Sequence, residues 1–171
     1  PNRPSLPDMK TPNLTDVATD ILARIGEAER PMVVVGGPHW SAKAAADLAK
    51  FAQVQSLPVA LGFRRQDYLD NRHRCYAGDL NVGINPRLAV RIKDADLLVV
   101  IGSRFGDIET QGYTNPDPND AVPIIHVHAD VDEIGSVYPA QIGIVATAPV
   151  MVSALAALPA CNVKWTRWTA D

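Results

Sequence analysis

The chain has 171 residues, 47% of them apolar and 20% charged; this excludes a disordered chain and gives one ordinary domain a sizeable core. A formal charge of −3 leaves no basic footprint and argues against nucleic acid as a partner. No apolar run approaches the roughly 18 residues that span a bilayer, no signal peptide is visible, and the two cysteines, Cys75 and Cys161, lack metal-ligand spacing, so reduced thiols in a cytoplasmic protein are expected.

Residues 1–13 carry Pro1, Pro4, Pro7 and Pro12 and have the composition of a linker. A helix capped by Asn13 or Thr15 follows to about residue 29, with Val17, Ile21, Leu22 and Ile25 near one face. Met32 to Val35 form a short apolar strand closed by Gly36-Gly37-Pro38. Ser41 then caps a helix whose stripe is Ala45, Leu48, Ala49 and Ala52. Residues 58–62 read as the second strand, and strand–helix–strand order implies a parallel sheet. Residues 63–85 are polar and without period. At that length they should be functional or contain short elements.

Asn85 and Pro86 begin another helix, with Leu88, Ala89 and Ile92 toward the core. Asp94 to Asp107, DADLLVVIGSRFGD, is the stretch around which the chain is organised. Leu97 to Ile101 is an unbroken apolar strand, the mark of a sheet buried on both faces. Residues 113–120 hold Asn-Pro and Asp-Pro turn signals. A strand at 123–127, a helical turn at 130–135, a strand at 142–145 and a helix at 150–158 stopped by Pro159 complete the order. Residues 159–171, with Trp165 and Trp168, show no periodic partner and read as a linker or tail. Both ends are expected to be cuts through a longer protein. The fold class expected is α/β, a doubly wound, mostly parallel sheet.

In such sheets ligands lie beyond the carboxyl ends of the strands. Gly36-Gly37-Pro38 is either an anion loop or a plain strand–helix turn, and it does not match the usual dinucleotide fingerprint. Gly102 allows close backbone approach, while Arg104 offers a planar fork either to a phosphate or to a neighbouring acid. His126 and His128 share one strand face, but no third ligand is placed near them, so a structural histidine beside a ligand-facing one is expected rather than a metal site. Asp107 and Glu109 read as solvated or capping carboxylates, not as a catalytic pair. No nucleophile elbow and no P-loop occur.

Taken together, Arg30-Pro31, VVVGG, the alanine-rich helix, LPVALG, DADLLVVIGSRFGD and PIIHVHADVDEIG resemble, in order and spacing, the central domain of thiamine-diphosphate-dependent enzymes, most of all acetolactate synthases. The resemblance covers residues 14–158. It implies a six-stranded parallel sheet in a non-catalytic central domain, packed between a pyrimidine-binding and a diphosphate-binding domain of the same chain. It also implies a homo-oligomeric enzyme, with thiamine diphosphate and Mg2+ held by those outer domains. In FAD-binding relatives the central domain holds the ADP half of FAD. Carried across, the nucleotide contacts fall on Gly36, Gly37, Gly102, Ser103, Arg104, His128 and Asp130. This chain departs from the family pattern at Pro38, where relatives have a third glycine, and at His128, where many have aspartate. Two other readings compete. One is a stand-alone nucleotide-binding or subunit-assembly module. The other is an NAD-dependent deacylase, whose catalytic histidine insert and zinc cysteines are not found here.

Overall fold

The computed structural model describes residues 13–119 and 122–170. All but the last residue of the expected N-terminal linker therefore lies outside the described residues. The elements are α1 (Leu14–Glu27), β1 (Pro31–Val35), α2 (Ala42–Gln55), β2 (Val59–Leu61), β3 (Tyr76–Asp79), α3 (Pro86–Asp94), β4 (Leu97–Ile101), β5 (Ile124–His128), a 3-10 turn (Val131–Glu133), β6 (Ile142–Val145), α4 (Ala148–Ala156) and α5 (Thr166–Ala170).

Six strands form one parallel sheet in the order β3-β2-β1-β4-β5-β6. The order reverses between β1 and β4, which run in register from Pro31↔Leu97 to Val35↔Ile101. This reversal is the switch point of a doubly wound fold, the edge at which open α/β sheets take their ligands.

Strand residues alternate between two cores, as period-two geometry requires. Val33, Val35, Val99, Ile101, Ile125 and Val127 pack beneath α1, α2 and α4. Met32, Val34, Leu98, Val100 and Ile124 face α3 through Leu88 and Ile92, with Leu80, Ile84, Phe105 and Tyr138 completing that side. Every residue of β1 and β4 is buried. Their unbroken apolar runs are thus explained by cover on both faces.

Helix starts follow local chemistry. The Asn13 side chain accepts from Thr15 N, that of Ser41 from Ala44 N, and that of Asn85 from Arg87 N. Arg30 and Glu29 donate their backbone N–H groups to the Asp96 carboxylate, tying the entry of β1 to that of β4.

The structure bears out one expectation, short elements within residues 63–85, and differs from the sequence reading at two places. The polar stretch 63–85 contains β3, an edge strand whose residues are all half-buried. It also supplies Tyr68, Leu69, Cys75, Leu80 and Ile84 to the core. The buried face of α2 runs through Ala44, Leu48, Phe51, Ala52 and Gln55, with Ala45 and Ala49 only half-buried. Residues 159–170 are packed, not trailing. Trp165 is 1% exposed, and its Nε1 donates to Gln55 O at 3.1 Å. Trp168 Nε1 donates to Pro31 O at 3.0 Å while the Arg91 guanidinium lies over its ring.

Candidate functional site

At the carboxyl edge, β1, β2 and β4 are each prolonged by one backbone bond before the loop diverges. Gly36 N donates to Ile101 O at 3.0 Å, Gly62 N to Val35 O at 2.8 Å, and Gly102 N to Val127 O at 2.7 Å. The loops after β1 and β4 then press directly on each other. A Cβ on Gly36 would lie 2.9 Å from Ser103 Cβ. Gly102 has φ +76°, and a Cβ there would meet Ala148 Cβ at 2.6 Å and Gly36 O at 2.7 Å. These glycines are required by the packing of loop on loop, whatever ligand comes above them.

Two aromatic rings hold the first loop. Trp40 Nε1 donates to Gly36 O at 2.9 Å, and Tyr68 Oη to Gly37 O at 2.7 Å. The two rings stack with centroids 4.4 Å apart. Burial pushes the Tyr68 phenol above its ordinary pKa, which keeps it a donor. Neither residue is marked by any period in the sequence.

Ser103 is 2% exposed and fully engaged. Its Oγ accepts from Phe105 N at 2.8 Å and donates to Glu109. The other Glu109 oxygen accepts from Phe63 N at 3.2 Å, so this carboxylate braces the loop after β2 against the loop after β4. Asp107, by contrast, is exposed and accepts from its neighbour Ile108 N.

His126 is 4% exposed and bridges two segments. Nε2 lies 2.9 Å from Ser103 O and Nδ1 accepts from Gly135 N at 3.2 Å, which sets the neutral tautomer with the proton on Nε2. Burial holds its pKa below the ordinary histidine value, against the opposing pull of the Ser103 carbonyl. His128 is half-buried at the strand end, and its Nδ1 accepts from Asp130 N at 3.1 Å. Asp130 caps the 3-10 turn through Asp132 N. Glu133, at the end of that turn, pairs with Arg104 Nε at 2.9 Å. The fork thus finds a neighbouring acid, as one of the two sequence readings had it.

Two clefts of about 440 and 450 Å3 open over this edge, sharing Gly37, Pro38, Gly102 and His128. The first continues past Phe63, Arg65, Arg104, Tyr113 and Glu133. The second is more apolar and runs past Asp130, Val131, Val145 and Ala148. The structure therefore brings Gly37, Gly102 and His128 to both clefts. It separates Arg104 from Asp130, and it withdraws the Ser103 side chain into the scaffold. Among the described residues no three His, Cys, Asp or Glu side chains gather as metal ligands. No helix of those residues is long and apolar enough to cross a membrane. Both clefts lie in the ordinary size range of small-molecule sites, and a fork-shaped cation facing one of them suits an anionic group.

Comparison with known proteins agrees with this architecture. The family model described as "Thiamine pyrophosphate enzyme, central domain" matches residues 18–155. The chain is 31% identical to an acetolactate synthase large subunit of Corynebacterium glutamicum over 124 residues, which are 72% of this chain and 20% of that protein. It is 29% identical to a glyoxylate carboligase of Escherichia coli O157:H7 over 133 residues, 75% of this chain and 22% of the relative. It is 28% identical to a sulfoacetaldehyde acetyltransferase of Roseovarius nubinhibens over 148 residues, 85% and 24% respectively. The chain thus spans between a fifth and a quarter of the length of these relatives. With the family model covering most of the sheet and its helices, the chain belongs to the thiamine pyrophosphate enzyme family, as a central domain of that family.

Proposed function

We propose that this chain is the non-catalytic, nucleotide-binding central domain of a cytoplasmic thiamine-diphosphate-dependent enzyme acting on 2-oxo acids, most like acetolactate synthase. The observation that carries this reading is the pair of clefts meeting over Gly37 and Gly102 at the β1/β4 switch point, with Arg104 in one and Asp130 in the other. The serine–carboxylate pair there, Ser103 and Glu109, is spent on bracing loops. The relatives' names span synthase, carboligase and acetyltransferase, so the shared chemistry is that of the thiamine cofactor and not of one substrate. Thiamine diphosphate and Mg2+ belong, in this proposal, to flanking domains of the same chain in a homo-oligomer.

The residues present fit the ADP half of FAD, or ADP itself. The diphosphate passes above Gly37 and Gly102, Arg104 donates to a phosphate oxygen, and Asp130 accepts from a ribose hydroxyl or the adenine amino group. Pro38 supplies no N–H to the loop. Affinity in the high-micromolar to millimolar range is expected, about 4–6 kcal/mol. Calorimetric titration of ADP and FAD tests this. Because the Arg104 side chain is 73% exposed, Arg104→Ala should weaken binding by about 1–2 kcal/mol, below the full value of a charged hydrogen bond. Equal affinity in the variant, or NMR shifts clustered away from these loops, would remove the assignment.

A further inference from the structure

The Arg104–Glu133 pair crosses the first cleft, and its two ends are held by one buried side chain. His126 engages Ser103 O, one residue before Arg104, and Gly135 N, two residues after Glu133. Ser136 Oγ donates to Glu133 O at 3.0 Å, fixing the turn that carries the carboxylate. The partners are unequal: Glu133 is 22% exposed and Arg104 is 73% exposed. Glu133 is the anchored member and Arg104 the one that reaches across. An ordinary surface pair is weakened by the side-chain freedom it removes; here both backbones are already set at the right separation.

We infer that Glu133 is an affinity-setting residue of this cleft: its carboxylate takes the Nε–H of Arg104, and a phosphate-bearing ligand that engages that edge of the guanidinium binds by displacing it. This rests on the nucleotide reading of the clefts given above. His126 acts here as a positioning residue, since it touches neither the ligand space nor the ion pair itself. A ligand without an anionic group gains nothing from displacing Glu133, so the exchange favours phosphates over neutral molecules of similar shape.

The experiment is a calorimetric titration of ADP, with adenosine as the uncharged control, into the wild-type protein, Glu133→Gln, Arg104→Ala and the double variant. Circular dichroism checks that each is folded, and the Arg104 Nε–H resonance reads the ion pair without any ligand. Glu133→Gln should shift that resonance and bind ADP about three- to tenfold more tightly, from the lost competition and the lost repulsion of phosphate. Adenosine affinity should not change, and Glu133→Gln should add nothing in the Arg104→Ala background. Unchanged or weaker ADP binding by Glu133→Gln, with Arg104→Ala still weakening it, overturns the role of Glu133 and leaves the nucleotide site standing. A gain that persists without Arg104 overturns displacement in favour of simple charge repulsion. No ADP binding by any variant overturns both readings.

Discussion

Gly102→Ala is the most direct probe of how the two central loops meet. At φ +76° an L-residue pays the left-handed penalty, about 1–2 kcal/mol. The new methyl also lands 2.6 Å from Ala148 Cβ and 2.7 Å from Gly36 O, and neither neighbour is the end of a flexible chain. Overpacking of that kind costs about 1–3 kcal/mol. The reduced freedom of the unfolded chain returns about 0.4–1 kcal/mol. The net loss expected is therefore about 2–4 kcal/mol. Gly83 supplies the control: its φ is +82°, but a Cβ there meets nothing within 4 Å. Gly83→Ala carries the same backbone penalty and the same return, so it should cost about 1 kcal/mol or less. Urea unfolding of both variants, with m-values checked for constancy, measures the difference directly. If the two variants lost the same stability, the loops would not be in obligatory contact, and Gly102 would have to be explained by ligand clearance alone.

Trp165→Ala should cost about 3–5 kcal/mol on thermal or chemical unfolding, because a fully buried ring and its bond to Gln55 O disappear together; a loss under about 1 kcal/mol would return residues 159–170 to the status of a tail. His126 has a folded pKa held below its unfolded value of about 6.5, chiefly by burial, so the stability it contributes is full above that value and is lost as pH falls through the folded pKa. His73, lowered in the same direction by burial, adds to the slope. Stability measured from pH 7.5 down to 5 should therefore fall less steeply in His126→Gln, and parallel curves would refute the buried neutral tautomer. The chain supplied with pyruvate, thiamine diphosphate and magnesium should show no carboligation above background, and turnover abolished by a substitution within this chain would contradict a non-catalytic role.

Five strands were legible because each is an apolar run covered on one or both faces. The sixth was not. Tyr76–Asp79 sits at the sheet edge, half-buried throughout, and contains Gly78 and Asp79, so neither alternation nor a continuous run announces it. The packed C-terminus was hidden for a different reason: Trp165 and Trp168 take backbone carbonyls of Gln55 and Pro31 as partners, and carbonyls leave no trace in a residue pattern. At the site, glycines after strands marked the right edge of the sheet. Their residue types did not reveal that Gly36 and Gly102 are needed against the protein itself, or that the Ser103 hydroxyl points inward to Glu109. Glu109, read as a solvated or capping carboxylate, joins loops 46 residues apart in sequence, a relation only the folded topology creates.

The stacking of Trp40 on Tyr68, with its indole N–H on the Gly36 carbonyl, also gives the molecule an optical handle. The other two of its three tryptophans stand at the far end of the chain and pack on Gln55 and Pro31. Emission from Trp165 and Trp168 will report unfolding of the body, whereas Trp40 will respond to whatever settles over Gly36 and Gly37. A chain with Trp165 and Trp168 both replaced by phenylalanine would turn the glycine loop into a single-fluorophore sensor, read by quenching or by a shift in emission maximum without any added label.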